Sequence, residues 1–259
     1  FMLEQKNISK LKKSGLSPIK TLIFEGPPGV GKTMTAHWTA AQLKMPIYTL
    51  DLAAVMSSHL GKTGNNIKEV FDFISKNRCL LLLDEFDALA KKRDDDSDVG
   101  ELKRLVTVLL QALDNLSEDS IVIAATNHAN LLDPAVWRRF ELKVSFELPS
   151  ETLIKGYLET ITGDSEISYL AEFCEGMNFS DISNLLMSAK KHSILNGASI
   201  HNYLIDFVIA QNENLSDDIK LRKKLAVILV NSGVSQREAS KKLDISRPTI
   251  KKELELAEK

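Results

Sequence analysis

With 259 residues, 44% hydrophobic and 26% charged, the chain has the make-up of a globular protein with enough length for one large domain or two to three smaller ones. Its formal charge of −2 excludes a wholesale polyanion binder but leaves room for a local basic patch. Cys79 and Cys174 lie far apart among apolar neighbours with no metal-ligand spacing around them, so they read as reduced, buried thiols of a cytoplasmic protein. No apolar run approaches a membrane span and no signal peptide is visible.

Phe1 ahead of Met2 reads as a junction, with room for a domain upstream. From residue 20 to 149, short apolar runs alternate with longer helical patterns, which predicts an α/β domain with a parallel sheet and helices on both faces. The expected strands are Thr21–Glu25, Pro46–Asp51, Cys79–Asp84, Ile121–Thr126 and Lys143–Leu148. Pro149 and Ser150 mark a boundary, and the pattern is helical from Glu151 to Asn212. Glu213–Asp218 reads as a linker into a last helical segment. The expected division is therefore 1–149, 150–212 and 213–259. The charge run Lys91–Gly100 reads as a solvated loop.

Directly after the first strand comes the stretch Gly26, Pro27, Pro28, Gly29, Val30, Gly31, Lys32, Thr33, Met34, with the G-x-x-x-x-G-K-T spacing. Glycines allow backbone N–H groups to turn inward around phosphates, where side chains would block them. The helix that follows adds its positive end, Lys32 can neutralise the outer phosphates, and the Thr33 hydroxyl can ligate Mg²⁺. A simple Gly/Pro surface turn would not explain the position between strand and helix.

The third strand ends in Asp84 and Glu85, at the carboxyl end where open α/β folds place their ligands. Asp84 is expected to hold Mg²⁺, directly or through water, and Glu85 to polarise the attacking water. Asp87 reads as a cap or surface acid. Asn127 follows the fourth strand, where an amide can donate to a γ-phosphate and orient the water, or simply turn a loop. Arg138 and Arg139 precede the last strand. An arginine there can stabilise transition-state charge in a neighbouring subunit, although a surface ion pair would account for one of the two.

"GPPGVGKT", "LLLLDEFDAL", "AATN" and "LLDPAVWRRF", in that order, resemble an AAA ATPase of the P-loop NTPase superclass over residues 20–212. The resemblance implies the superclass sheet (ASCE/AAA+), a small helical lid, ATP with Mg²⁺, and a homo-hexameric ring with ATP between subunits. It casts Asn127 as sensor 1 and Arg138 and Arg139 as arginine fingers, with Arg139 favoured. Ser180 and Asp181 match the lid's small-residue-plus-Asp pattern, and no sensor 2 arginine is expected. His59-Leu60-Gly61 matches the substrate-gripping pore triplet, with histidine in the aromatic position, and equally suits a plain turn before a helix at Asn66–Ile74.

In the tail, Leu221, Leu225, Ile228 and Leu229 share one helix side, and Gly233 stops that helix. Ser235 and Glu238 have capping-box spacing, Asp244-Ile245-Ser246 makes a turn, and Pro248 sits in the first turn of the final helix. Ala239, Leu243, Ile245, Ile250 and Leu254 would pack. Arg247, Thr249, Lys251 and Lys252 would then face outward on a reading helix. From Ser216 onward eleven bases stand against seven acids. Residues 235–254 therefore read as a helix-turn-helix-like segment for duplex DNA, or as a bundle for ring or partner contacts.

The function expected is Mg²⁺-dependent ATP hydrolysis in a ring that remodels a macromolecular partner, a protein or protein–DNA complex, with the tail recruiting it to DNA. The alternative is an ATP-switched DNA-binding transcriptional regulator. No membrane partner is expected.

Overall fold

The computed structural model describes residues 1–52, 55, 60–91, 99–211 and 218–257. Of the expectations above, His59, most of the Lys91–Gly100 run and the linker up to Ser216-Asp217 lie outside them. The chain resolves into two compact units, Phe1–Glu147 and Leu148–Lys259.

In the first unit, short helices α1 (Met2–Lys6) and α2 (Ile8–Lys13) precede β1 (Thr21–Glu25) and α3 (Lys32–Leu43). There follow β2 (Ile47–Asp51), α4 (Leu60–Lys76), β3 (Leu80–Asp84), α5 (Ala88–Lys91), α6 (Val99–Asp114), β4 (Ile121–Thr126), α7 (Pro134–Trp137) and β5 (Leu142–Ser145). The five strands form one sheet in the order β2-β3-β4-β1-β5, with every pairing parallel. Every residue of β4 and the first four of β3 are buried, which explains their unbroken apolar sequence.

Alternation along these strands divides the core in two. Ile23, Leu81, Leu83, Val122 and Ala124 pack with Ile67, Phe71 and Ile74 of α4 and Leu105, Leu109 and Leu113 of α6. Leu22, Phe24, Leu80, Leu82, Ile121 and Ile123 pack with Ala36, Ala40 and Leu43 of α3. The architecture is the expected α/β sheet with helices on both faces.

The starts of β2, β3 and β5 each differ from expectation by one residue, and two further bounds differ by more. Strand β5 ends at Ser145 rather than Leu148, because its partner β1 ends at Glu25. Phe146 N–H still donates to the Glu25 carbonyl at 2.7 Å, and beyond that point the neighbouring chain has turned into a loop. Helix α4 begins at Leu60, six residues before the expected Asn66.

The second unit is helical. Helix α8 (Glu151–Thr162) is capped by Ser150, whose Oγ accepts from Leu153 N–H, and it ends at Gly163 with φ +69°. A 3₁₀ stretch (Ser165–Cys174) leads to α9 (Phe179–Asn196) and α10 (Ile200–Gln211). Helix α11 (Ile219–Asn231) is capped by Asp218, and α12 (Gln236–Leu243) by Ser235, which accepts from Glu238 N–H. Asp244, at φ +50°, turns the chain into α13 (Arg247–Ala257). The helices share one core. Leu204, Ile205 and Val208 of α10 join Leu225, Ala226 and Leu229 of α11 and Ala239, Leu243, Ile245 and Ile250 beyond it.

Polar ties reinforce that core. Lys242 pairs with Asp206 at 2.7 Å and donates to the Asn202 carbonyl, and Arg222 donates to the carbonyls of Leu243 and Asp244. Among the described residues no helix is long and apolar enough to cross a membrane.

Leu229 is fully buried within this shared core. Leu229→Ala should therefore destabilise the second unit by about 2–5 kcal/mol, read as an earlier thermal or urea midpoint.

Candidate functional site

The site lies where β1, β4 and β3, adjacent in the sheet, reach their carboxyl ends. Their register sets Glu25 opposite Thr126 and Leu83 opposite Ala124, so the loop after β1, the acids ending β3 and the residue after β4 emerge side by side.

The loop's path depends on glycine. Gly26 has φ +145°, and a Cβ there would lie 2.1 Å from the Phe146 carbonyl oxygen. Backbone conformation and close approach both exclude a side chain. Gly29 and Gly31 also have positive φ, at +74° and +102°, and Gly31 leads directly into α3. The arrangement is a backbone turn set at the N-terminus of a helix, the form that binds phosphate. Gly26, Pro27, Pro28, Gly29, Val30 and Gly31 make this turn, and Lys32, Thr33 and Met34 open the helix.

Lys32 is buried, and its Nζ donates at 2.7 Å to the carbonyls of Gly26 and Pro27 and to Asn127 Oδ1. Burial lowers the Lys32 pKa, while the charges of Asp84 and Asp87 act in the opposite direction. One cation thus joins the loop after β1 to the residue after β4.

Thr33 Oγ1 donates to Asp84 Oδ2 at 3.1 Å. Mg²⁺ takes six oxygens at about 2.1 Å in octahedral geometry, which places adjacent ligands about 3 Å apart. The Thr33–Asp84 pair matches that spacing and supplies hard oxygen donors. Among the described residues there is no cluster of three or more His, Cys, Asp or Glu able to hold a metal.

Glu85 follows with φ +51°, a left-handed conformation that costs a non-glycine residue free energy. Its N–H donates to Asp84 Oδ1, and its exposed carboxylate has no partner among the described residues.

Asp87 differs from its expected role as a cap or surface acid. It is 2% exposed, and its Oδ1 accepts from Thr126 Oγ1 and from Asn127 N–H, each at 3.2 Å. Its partners lie some forty residues away, so local spacing gives no sign of it. Phe146, which closes over Gly26 from 120 residues downstream, is equally invisible to local pattern.

The two arginines differ. Arg139 Nε pairs with Asp114 at 2.9 Å, both partly exposed, whereas Arg138 is exposed and without a partner among the described residues. In the second unit, Ser180 and Asp181 stand exposed in the first turn of α9, where Asn178 caps the helix by accepting from Asp181 N–H.

Residues 22–148 match the family model "ATPase family associated with various cellular activities (AAA)". The chain is 36% identical over 196 residues to an uncharacterized AAA family ATPase of Sinorhizobium fredii, covering 74% of this chain and 59% of that protein. It is 30% identical over 185 residues to a putative 26S proteasome regulatory subunit homolog of Methanothermobacter marburgensis, covering 68% and 50%. It is also 30% identical over 212 residues to 26S proteasome regulatory subunit 6A of Saccharomyces cerevisiae, covering 77% and 49%. The chain thus spans 49% to 59% of the length of these relatives.

Gly26→Ala adds a Cβ where the Phe146 carbonyl already stands and forces φ +145° on a residue that resists it. Strain of this kind costs about 1–3 kcal/mol. Binding of a fluorescent ATP analogue to the Gly26→Ala chain should weaken by about tenfold or more, with the thermal midpoint lowered as well.

Proposed function

Residues 22–148 belong to the AAA family of ATPases, and from that premise we propose that this chain is a Mg²⁺-dependent ATPase that works in a ring of identical subunits, a hexamer, to remodel a macromolecular partner, most directly a protein. The observation that carries the reading is the junction of Lys32 with Asn127 and of Thr33 with Asp84. Those two contacts gather the phosphate loop, an acid and a polar residue from three neighbouring strands. The names of the proteasome regulatory relatives support a protein as the partner.

In this reading the backbone from Gly26 to Thr33 holds the phosphates of ATP, and Lys32 leaves its loop carbonyls for the outer phosphate oxygens. Thr33 and Asp84 would hold Mg²⁺, which when bound would supply positive charge to the phosphates. Glu85 accepts the proton of the attacking water, and Asn127 orients that water against the γ-phosphate. The arginine that stabilises the transition state comes from the neighbouring subunit. Arg138 is better placed than Arg139, whose guanidinium is held by Asp114, although an exposed pair of that kind is worth only about 0–1 kcal/mol and can open.

The work divides between an α/β domain over 1–149, a lid over 150–212 and a tail over 213–259. The tail recruits the ring to duplex DNA through 235–254. Its support is the way the tail's bases are used. Arg222, Lys223 and Lys242 are tied to protein partners, whereas Lys220 and Lys224 on α11 and Arg237, Lys241, Arg247, Lys251 and Lys252 on α12 and α13 have none among the described residues. Helix α13 presents Arg247 and Lys251 in its first two turns, the part of a reading helix that meets base edges. Two buried, unpaired cysteines suit a cytoplasmic setting.

Glu85→Gln should bind ATP as well as the parent chain yet release phosphate about 10²- to 10⁴-fold more slowly. A rate unchanged in that variant refutes the hydrolytic assignment. For the tail, Arg247→Ala with Lys251→Ala should weaken binding to a labelled duplex. The slope of log K against log salt should become shallower by about 0.9 for each phosphate the variant no longer neutralises. An unaltered anisotropy titration assigns the tail to protein contacts instead.

A further inference from the structure

We propose that Asp87 is a positioning residue, a buried clamp that fixes the turn carrying Glu85 to the end of β4 carrying Asn127. The catalytic half of the proposal rests on the roles given above to Glu85 and Asn127, while the clamp itself is a matter of structure.

The geometry has three parts. Asp87 Oδ1 accepts two hydrogen bonds from β4's end, one from the Thr126 hydroxyl and one from Asn127 N–H. The same Thr126 oxygen accepts from His128 N–H at 3.1 Å, so one carboxylate oxygen organises two successive backbone amides and the hydroxyl between them. One residue earlier on the acid turn, Phe86 N–H donates to the Ala125 carbonyl at 2.9 Å. The turn after β3 is therefore fastened to β4 at Ala125, Thr126 and Asn127 together.

Burial makes the fastening specific. Asp87 and Thr126 are 2% and 1% exposed, so neither can exchange its partner for water. A buried carboxylate is retained only where hydrogen bonds or opposite charge compensate its lost hydration. The Lys32 ammonium, held by Asn127 Oδ1, is close enough for the Asp87 charge to favour its protonated form. The path from Asp87 to the phosphate loop thus runs through Asn127: carboxylate to backbone amide, side-chain amide to ammonium.

Two residues before Asp87 stands Glu85, in its left-handed conformation. A residue held at positive φ needs neighbours that over-determine it. Phe86 and Asp87 supply them by tying the chain down immediately after the strained position. The separation between the proton acceptor and the water-orienting amide is then set by this clamp, and small errors in such placement cost rate steeply.

The test measures backbone amide exchange and ATPase kinetics on the full chain for Asp87→Ala, Asp87→Asn, Thr126→Val, Asn127→Ala and the Asp87→Ala/Asn127→Ala double variant. Asp87→Ala should speed exchange at Asn127 and His128 and lower kcat by about 10- to 100-fold, with the KM for ATP within about threefold. Asp87→Asn keeps an acceptor oxygen and should restore protection and most of kcat. The double variant should be no slower than Asn127→Ala alone, because both substitutions remove one device.

Unchanged protection of Asn127 in Asp87→Ala overturns the clamp, and so does a double variant whose losses multiply. Should Asp87→Ala fail to fold, Thr126→Val and Asp87→Asn answer the same exchange question, with loss of His128 protection expected in the first and its retention overturning the relay. If Asn127→Ala hydrolyses ATP at the parent rate, the role given to Asn127 fails while the exchange data still decide the clamp.

Discussion

Burial of β3 and β4 on both faces is the constraint from which the site follows. Strands covered on both sides admit no unpaired polar group along their length, because a buried amide or carboxylate without a partner costs several kcal/mol. Leu80–Leu83 and Ile121–Ala125 obey this, and polar chemistry appears only at the first positions past the apolar run: Asp84, Thr126 and Asn127. Parallel pairing with β1 aligns those positions with the glycine loop. The same packing that excludes water from the sheet therefore collects its polar residues at one end.

The charges at that end are arranged so that none is stranded. Lys32 is the only buried cation of the first unit among the described residues, and three oxygens surround its ammonium. Asp84 is balanced by the Thr33 hydroxyl and its neighbour's N–H, and Asp87 by a hydroxyl and an N–H from β4. Glu85 alone presents a carboxylate that is exposed and unengaged among the described residues, on a backbone held in the left-handed region. The role proposed for Glu85 gives it reason to differ from its neighbours in this way, since an acceptor already saturated with hydrogen bonds is a poor base.

What can be read from the sequence is what short range determines. The G-x-x-x-x-G-K-T spacing, the apolar runs of β1 and β4 and the caps at Ser150 and Ser235 depend on residues within a few positions, and the structure holds those elements where the pattern puts them. Asp87 escapes such reading because its significance lies in Thr126 and Asn127, residues its own neighbourhood does not mention. The difference between Arg138 and Arg139 escapes likewise, being set by Asp114 at the far end of α6. Strand β5 runs short of its apolar pattern because parallel pairing ends when the partner does, and Gly26 ends it. The Phe146 carbonyl that requires glycine at position 26 is contributed 120 residues downstream, so even the most readable motif owes one of its constraints to tertiary structure.

The tail shows why net charge is a poor guide to what a basic segment does. Its surplus of bases is real, yet the members differ in kind. Lys242 is largely buried against Asp206 and Asn202, Arg222 reaches the carbonyls that end α12, and Lys223 is paired with Glu253 on α13. Each of these joins one helix to another, and a partly buried, hydrogen-bonded pair of that sort is worth most as a specifier of how helices meet. Removing one leaves its partner's charge uncompensated, so its loss would be felt as instability whatever the tail binds. The other described bases, Lys220 and Lys224 on α11 and Arg237, Lys241, Arg247, Lys251 and Lys252 on α12 and α13, have no such structural employment among the described residues, and the last five lie on the two helices that meet at Asp244. A polyanion would therefore meet cations that keep their hydration and mobility, backed by a core that fixes the angle between the helices presenting them. Binding there would act on salt-sensitive contacts without disturbing the ties that hold the fold, because the two sets of bases share no member.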